Sequence, residues 1–189
     1  MGSGDVYKRQ ESCSTLTSIT IPDSVTSIGE AAFRECTNLT GITIPDSVIS
    51  IGYHAFLYCS SLTSITIPDS ITSIGDAAFL GCTALMTVEV GVGNVNYTEV
   101  NGVLFNTEMT LLHTYPASKT GANYVIPDSV NSIAEVAFSD CNRLSSITIP
   151  DSVTSIGDYA FNFCTSLTSV TIPDGVTSIG GGAFRGCAA

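Results

Sequence analysis

Positive charge, histidine and tryptophan are scarce in this chain of 189 residues. Six Lys and Arg stand against 17 Asp and Glu, which gives a net charge of −11, and there are two His and no Trp. Because binding to a phosphate backbone needs clustered basic side chains, this charge balance argues against a nucleic-acid-binding function. Apolar residues make up 44% of the chain, but no run reaches the roughly 18 residues that a membrane span requires.

Cysteine, proline and phenylalanine recur with one fixed period. Successive members are 23 residues apart, except for one jump of 59 residues from Cys82 to Cys141, which is one period plus 36. A period of this length indicates stacked repeats, in which each unit buries its apolar side chains against its neighbours. The recurring residues are Cys13, Cys36, Cys59, Cys82, Cys141, Cys164 and Cys187; Pro22, Pro45, Pro68, Pro127, Pro150 and Pro173; and Phe33, Phe56, Phe79, Phe138, Phe161 and Phe184.

The first half of a repeat predicts a strand followed by a turn. In the repeat over residues 39–59, Ile42 and Ile44 alternate with Thr43, which is typical of a half-buried strand. The Pro-Asp-Ser sequence at 45–47 then predicts a turn with proline at its second position. The corresponding strands are predicted over residues 16–21, 39–44, 62–67, 85–90, 122–126, 144–149 and 167–172.

The second half of the same repeat predicts a further extended piece and a helical turn. Val48 and Ile51 form an apolar pair, expected on the opposite side of the coil from the first strand. Ala55 and Cys59 are four residues apart, which places them on one face of a short α or 3₁₀ turn. We therefore predict an α/β solenoid with a parallel sheet, short helical turns and one continuous apolar core.

The cysteines are predicted to form a ladder of buried thiols. All seven occupy one repeat position, so they are expected to stack in register about 4.8 Å apart, the spacing of adjacent strands. Side chains that point inward in parallel do not usually meet at the torsion that a disulfide requires. An unpaired cysteine instead acts as a small core hydrophobe.

The phrase LxxIxIPxxVxxIGxxAFxxC resembles the leucine-rich repeats of the BspA-like family, also called the Treponema pallidum type. The resemblance covers residues 13–187, apart from one irregular stretch. It implies a curved solenoid from a bacterial cell-surface or secreted protein. Some relatives are associated with adhesion to host proteins or to other bacteria, so the resemblance also implies an extracellular location.

The predicted domain organisation is one solenoid over residues 13–189 after a leader over residues 1–12. The leader lacks the repeat and the apolar stretch of a signal peptide, and we interpret it as derived from an artificial junction. The last repeat has no polar closing unit, which an uncapped solenoid end would need to cover its core. We therefore expect the chain to be a fragment of a longer protein.

The repeat fails over about residues 91–121, where an inserted β-hairpin is predicted. Two apolar runs at 102–105 and 110–115 flank a four-residue loop at 106–109. One interpretation is a spacer that changes the curvature of the solenoid. The other is a binding lip formed with Tyr97, His113 and Tyr115, because insertions concentrate on one face of a solenoid.

Exposed strand positions form a hydroxyl-rich row that predicts a ligand-contacting surface. Such a row suits many weak hydrogen bonds to a protein or glycan, although the β-propensity of threonine alone also explains it. The row lacks the Trp, Tyr and Arg anchors of strong interfaces. Its candidate contact residues are Thr20, Thr43, Thr66, Glu89, Thr148 and Thr171, with Val125 in the same row.

The titratable residues predict no catalytic, cofactor or metal site. The aspartate after each repeated proline is explained by turn formation, and no acidic cluster matches a calcium loop. Two histidines and cysteines 23 residues apart do not have the spacing of a zinc site. There is also no G-x-S-x-G motif and no phosphate-binding glycine loop.

The sequence thus predicts a non-enzymatic binding module whose ligand is a protein or a glycan. The alternative is a structural spacer that projects another domain, which the uniformity of the repeats favours. Departures from the repeat lie on the predicted helical-turn side and indicate a second possible binding location there. These departures are Tyr53, His54, Tyr58, Tyr159 and Phe163.

Overall fold

The computed structural model describes residues 13–188. The predicted leader over residues 1–12 lies outside the described residues. The strands are β1 (Ser27–Ile28), β2 (Ser50–Ile51), β3 (Ser64–Ile67), β4 (Ser73–Ile74), β5 (Thr87–Val90), β6 (Tyr97–Val100), β7 (Val103–Asn106), β8 (Leu111–Thr114), β9 (Asn123–Val125), β10 (Ser132–Ile133), β11 (Ser146–Thr148), β12 (Ser155–Ile156) and β13 (Ser178–Ile179).

Each regular coil contributes one segment to each of two parallel rows, so the predicted solenoid of stacked parallel strands is confirmed. One row contains the β3–β5 and β9–β11 pairs and an isolated bridge between Thr20 and Thr43. The other row contains β1-β2-β4 and β13-β12-β10. Partners such as Ile28 and Ile51 are one period apart, which places equivalent side chains directly above one another.

The first row is less regular than the sequence predicts. The predicted strands at 16–21 and 39–44 are reduced to the single bridge, and 167–172 contains no strand. At the start of this row the backbone hydrogen bond from Thr40 N to Thr17 O is long, at 3.4 Å, whereas the equivalent bond from Met86 N to Thr63 O is 2.9 Å. Longer bonds between these coils weaken the ladder that defines a strand.

The Pro-Asp-Ser turn is present, but the predicted position of proline within it is wrong. Val48 N donates to Pro45 O at 3.0 Å, so proline is the first residue of the turn and Asp46 and Ser47 are its central residues. The serine hydroxyl of this turn reaches the coil before it, since Ser47 Oγ donates to Val25 O at 2.8 Å. The turn therefore also fastens neighbouring coils together.

No helix occurs in residues 13–188, so the predicted helical turns are wrong. In the first of these turns, Ala31 and Glu35 have φ values of 53° and 60°, which interrupt a right-handed helix. Successive N–H groups alternate between partners: Phe33 N donates to Ala55 O of the next coil, whereas Cys36 N donates to Phe33 O of its own turn. Because every second N–H bonds to a neighbouring coil, the i to i−4 ladder of an α-helix cannot form.

A column of stacked phenylalanine rings occupies the core. Ring centroids lie 5.4 Å apart for Phe33 and Phe56, and 5.8 Å apart for Phe56 and Phe79. Beyond the irregular stretch the column resumes, with 4.9 Å between Phe138 and Phe161. Nearly parallel rings at these spacings contribute favourable contacts beyond their burial.

The predicted ladder of buried thiols is confirmed. All seven cysteines lie within residues 13–188 and none forms a disulfide. Five are buried, whereas Cys13 and Cys187 at the two ends are partly buried. The thiols also make a regular contact that the sequence does not reveal: Cys59 Sγ donates to Phe33 O at 3.0 Å, and Cys164 Sγ donates to Phe138 O at 3.0 Å.

The irregular stretch forms a three-stranded antiparallel meander rather than a lone hairpin. Strand β7 pairs with both β6 and β8, and β8 then pairs in parallel with β10. The predicted hairpin is the β7–β8 pair, with its loop at residues 107–110, one residue later than expected. Strand β8 therefore takes the place of a coil strand beside β10, and the meander forms the end of the sheet that contains β10, β12 and β13.

The apolar core is divided in two, so the expectation of one continuous column is wrong. One cluster extends from Ile21 to Leu104 and the other from Val103 to Ala183. Strand β7 is the boundary, because Leu104 belongs to the first cluster whereas Val103 and Phe105 belong to the second. Alternation of side chains along a strand gives β7 one apolar face for each cluster.

Candidate functional site

The predicted ligand-contacting row lies on the surface of the first sheet. Thr20, Thr43 and Thr66 are exposed on one side of the insert, and Thr148 and Thr171 are exposed on the other. Glu89 is also exposed, and its Oε2 accepts a hydrogen bond from Thr66 Oγ1 at 3.1 Å. The last hydroxyl of this row before the insert, that of Thr66, is thereby joined to a carboxylate.

An open groove of about 460 Å³ runs beside this row. Thr43 and Thr66 lie in its lining together with Asp46 and Asp69 from the turns that follow. Val92, from the start of the irregular stretch, lies on its far side. The remaining lining residues are Ile42, Ile44, Pro68 and Gly91.

Asp69 fixes the segment that forms the far side of the groove. Its Oδ1 accepts a hydrogen bond from Gly93 N at 3.0 Å. A Cβ atom on Gly91 would lie 2.0 Å from Asp69 Oδ1, so a larger residue at that position would displace the Asp69 carboxylate. Asn94 Nδ2 closes the segment by donating to Pro68 O at 2.7 Å. The insert therefore holds the Asp69 carboxylate in place, whereas the segment 91–94 makes no such hydrogen bond to Asp46.

The three insert residues predicted to form a lip lie at different depths. Tyr97 is partly buried, and its hydroxyl accepts a hydrogen bond from Ile74 N at 2.8 Å. His113 and Tyr115 are only 8% and 4% exposed. The rings of Tyr97 and His113 contact each other edge-on, with centroids 6.0 Å apart. Because buried side chains offer little surface to a partner, the three residues do not form an exposed lip.

His113 is held in its neutral form inside the junction between the two parts of the solenoid. Burial lowers the pKa of His113, although the Ile74 backbone and the Asp76 charge oppose this effect. Its Nδ1 lies 2.8 Å from Thr114 Oγ1, and within the described residues its Nε2 has no hydrogen-bond partner. His113 also lines a cavity of about 20 Å³, which is enough for one water molecule.

The buried cysteines of the ladder are poor nucleophiles and poor metal ligands at neutral pH. Burial raises the pKa of Cys36 to about 11 and that of Cys59 to about 12. At neutral pH these groups are thiols, whereas the thiolate is the nucleophile and the metal ligand. Within residues 13–188, no group of three or more His, Cys, Asp or Glu side chains is placed to hold a metal ion, and no helix is long and apolar enough to cross a membrane.

Three features of the site region were missed from the sequence, and two had a visible signal. Asn101-Gly102 is the strongest short hairpin signal, and the φ values of 53° and 79° match the turn that joins β6 to β7. Tyr115 is one period before Phe138 and stacks on it, with centroids 5.0 Å apart. Tyr115 therefore continues the phenylalanine column. The position of Val92 beside the groove had no signal.

Comparison with known proteins agrees with this architecture. The family model for the BspA type leucine rich repeat region (6 copies) matches residues 8–121 and 113–189. Among curated proteins, no match to the chain is found.

Three solved structures illustrate the likeness. A leucine rich cell surface protein from Faecalibacterium prausnitzii A2-165 is 35% identical with a TM-score of 0.86, over 93% of this chain and 46% of that one. The pneumococcal vaccine antigen PcpA is 27% identical with a TM-score of 0.78, over 91% and 49%. The T. pallidum leucine rich repeat protein is 28% identical with a TM-score of 0.57, over 90% and 76%.

This chain spans about half the length of the first two of these proteins. Their likeness extends over 93% and 91% of this chain, respectively. Since the family model also matches most of the sequence, the chain belongs to the BspA-type leucine-rich repeat family.

Proposed function

We propose that this chain is a non-enzymatic binding module of a bacterial cell-surface or secreted protein, and that its ligand is a protein or a glycan. The observation that carries the proposal is the groove beside the first sheet, where Thr43 and Thr66 are exposed together with Asp46. Support for the location comes from the relatives described as a cell surface protein and a vaccine antigen.

The chemistry of the groove suits a hydroxyl-rich or amide-rich ligand. Threonine hydroxyls donate and accept hydrogen bonds, and a carboxylate accepts them. Val92 and Ile42 add apolar surface at the sides. The groove is open and shallow, so we expect many weak contacts over an extended ligand rather than enclosure of a small molecule.

Filling the groove tests the proposal. The chain is screened against glycan arrays and matrix proteins, and each hit is measured again with the Thr43→Tyr/Thr66→Tyr double variant. Tyrosine is neutral and suits a strand, so the fold should persist while the groove is filled. The matched control is Thr148→Tyr/Thr171→Tyr, the same change in the same row outside the groove.

We expect the groove variant to lose at least about tenfold in affinity, equivalent to about 1.4 kcal/mol, and the control to bind as the unmodified chain does. Equal binding by all three proteins, or no hit from either screen, would overturn the proposal.

A structural spacer is the second candidate, and one observation favours it. Hydroxyl groups of the repeat are already used within the solenoid: Ser70 Oγ donates to Val48 O at 2.6 Å, and Thr72 Oγ1 donates to Ile49 O at 3.0 Å. Such repeats need no ligand to account for them. A spacer predicts that a parent protein whose coils are replaced by an unrelated solenoid of equal length keeps its adhesion.

A further inference from the structure

A second surface lies on the turns that follow the second-row strands, each after an Ile-Gly pair or, once, after Ile133-Ala134. These turns are at residues 30–35, 53–58, 76–81, 135–140, 158–163 and 181–186. We call it the turn face. Four aromatic side chains on it are between 40% and 49% exposed. They are Tyr53, Tyr58, Tyr159 and Phe163.

Three of these rings rest on a glycine of the following coil. In each case the ring and the glycine are one period apart in the sequence. The ring occupies the space that a Cβ atom of the residue in the following coil would need. A Cβ atom would lie 2.2 Å from a ring atom of Tyr58, 2.5 Å from one of Tyr159 and 2.5 Å from one of Phe163. The glycines beneath these rings are Gly81, Gly182 and Gly186, respectively. The rings are therefore held at the surface by the coil below them.

The same three aromatic residues have left-handed backbone conformations. Their φ values are 61° for Tyr58, 53° for Tyr159 and 54° for Phe163. The glycines that follow in the same rows have φ values of 73°, 63° and 71°. A bulky residue in this region is strained whereas glycine is not. The equivalent positions of other coils hold Ala31, Glu35, His54, Ala77, Val136 and Asp140 in the same conformation. The exposed ring, rather than the backbone conformation, therefore distinguishes these three positions.

Carboxylates stand beside the rings. Glu35 precedes Tyr58 by one period, and Asp140 precedes Phe163 by one period, so each lies one coil away in the same row. Burial raises the pKa of Tyr53, and three nearby carboxylates raise it further; they belong to Glu135, Asp76 and Glu30.

The carboxylates also affect one another. Burial and the charges of Asp76 and Asp158 raise the pKa of Glu135, which shows that negative charge is crowded along this face. With a net charge of −11 over the whole chain, the turn face attracts cations rather than anions.

The turn face already contacts guanidinium groups of its own chain. Arg185 Cζ lies 5.8 Å from the centroid of the Phe163 ring, a cation–π geometry. Arg34 Nε donates to Glu35 Oε1 at 3.1 Å. Both kinds of contact that arginine makes, with a ring and with a carboxylate, therefore occur on this surface.

We propose that the turn face binds an arginine-rich segment of a partner protein, with guanidinium groups stacked on the exposed rings of Tyr58, Tyr159 and Phe163 and paired with the adjacent carboxylates. Arginine suits both contacts because its planar cation stacks on aromatic faces and pairs with carboxylates in two-point geometry. A neutral glycan could stack on the rings and donate hydroxyl hydrogen bonds to the carboxylates, but it carries no positive charge for the net charge of −11 to attract. This surface is separate from the groove, so the inference goes beyond the proposed function.

The test replaces each ring by glycine, the residue that the following coil carries at that position. Binding of a peptide of alternating arginine and serine to the full chain is measured by calorimetry at physiological salt, with a lysine–serine peptide in parallel. The variant is Tyr58→Gly/Tyr159→Gly/Phe163→Gly, which leaves the net charge unchanged and suits the left-handed backbone. The matched control is Val92→Gly/Val95→Gly, which removes exposed apolar side chains elsewhere.

We expect the arginine peptide to bind more tightly than the lysine peptide, and the triple glycine variant to lose about tenfold or more in affinity, since it removes three aromatic faces on which a guanidinium group can stack. The control and Thr43→Tyr/Thr66→Tyr should bind the peptide unchanged, which separates this result from the fate of the groove. Glu35→Gln/Asp140→Asn, which keeps every ring, should also weaken binding.

Equal affinity of the unmodified chain and the triple variant would show attraction by net charge alone and would overturn the proposal. Turn-face-dependent binding on a glycan array without peptide binding would overturn it as well.

Discussion

Truncation of one ring inside the aromatic column should cost far more stability than the same truncation at its end. Phe138 is fully buried, and its ring centroid lies 5.0 Å from that of Tyr115 and 4.9 Å from that of Phe161. Phe184 is only partly buried, and its ring stacks on Phe161 at 5.1 Å. Both residues occupy the same repeat position, so their comparison isolates the effect of a second neighbouring coil.

The expected magnitudes follow from burial and ring contacts. Removal of a buried phenylalanine side chain costs about 3–5 kcal/mol, and Phe138→Ala should fall in this range because it opens a cavity between two coils. Phe184→Ala should cost about 1–2 kcal/mol, since it loses part of the burial and one ring pair worth about 0.5–1.5 kcal/mol.

The assay is urea unfolding followed by far-ultraviolet circular dichroism, because the chain has no tryptophan to report on the core. Free energies of unfolding are taken by linear extrapolation with the slopes compared between variants. Equal losses for the two variants, or a larger loss for Phe184→Ala, would refute the reasoning that stability comes from interfaces between neighbouring coils.

Two further predictions concern the tight contacts and the thiols of the core. A Cβ atom on Gly157 would lie 2.5 Å from Glu135 N, whereas a Cβ atom on Gly29 would have no described atom within 4 Å. We therefore expect Gly157→Ala to lower the melting temperature clearly and Gly29→Ala to leave it unchanged. Equal shifts in melting temperature for the two variants would contradict this prediction. The pKa of Cys59 is raised from 9.0 to about 12 by burial, so its contribution to stability is fully present below about pH 9 and is lost as pH rises towards 12, by up to about 1.4 kcal/mol per pH unit. From pH 8 upwards, the free energy of unfolding should fall more steeply for the unmodified chain than for Cys59→Ala, by roughly this amount. Parallel curves for the two proteins would show that the thiol does not titrate in this way.

Periodicity predicted the coil, the buried thiols and four of the seven strands of the first row, because each depends on which side chains face inward. Ile28 and Ile51 pair one period apart as expected. The turn conformation could not be read in the same way. Ala55 and Cys59 are both buried, as on one helical face, but His54 and Tyr58 have φ values of 56° and 61° that the side-chain pattern does not reveal.

The candidate site was predicted less completely than the fold. Thr43 and Thr66 were expected at the surface from strand alternation, and they lie there. The groove beside them depends on the path of the segment from Gly91 to Asn94, which Asp69 fixes through a contact one period away. A contact between an insert and a regular turn has no counterpart in the other coils, so no repeat pattern could predict it.

The uniform positions of the repeat are accounted for by contacts between coils, which directs the search for function to the departures from it. Ser47, Ser70 and Ser152 each donate a hydrogen bond to the valine carbonyl of the coil before, at 2.8, 2.6 and 2.7 Å. Cys59, Cys82 and Cys164 do the same with phenylalanine carbonyls, so these recurring residues are explained by stacking alone.

A ligand that recognised only the recurring residues would have no preferred position along the solenoid, since every coil would offer the same contacts. A preferred position needs features that occur once. Glu89 and Val92 supply such features beside the groove, and Tyr58 and Phe163 supply them on the turn face. These four residues should therefore determine where a partner binds, whichever of the two surfaces it uses.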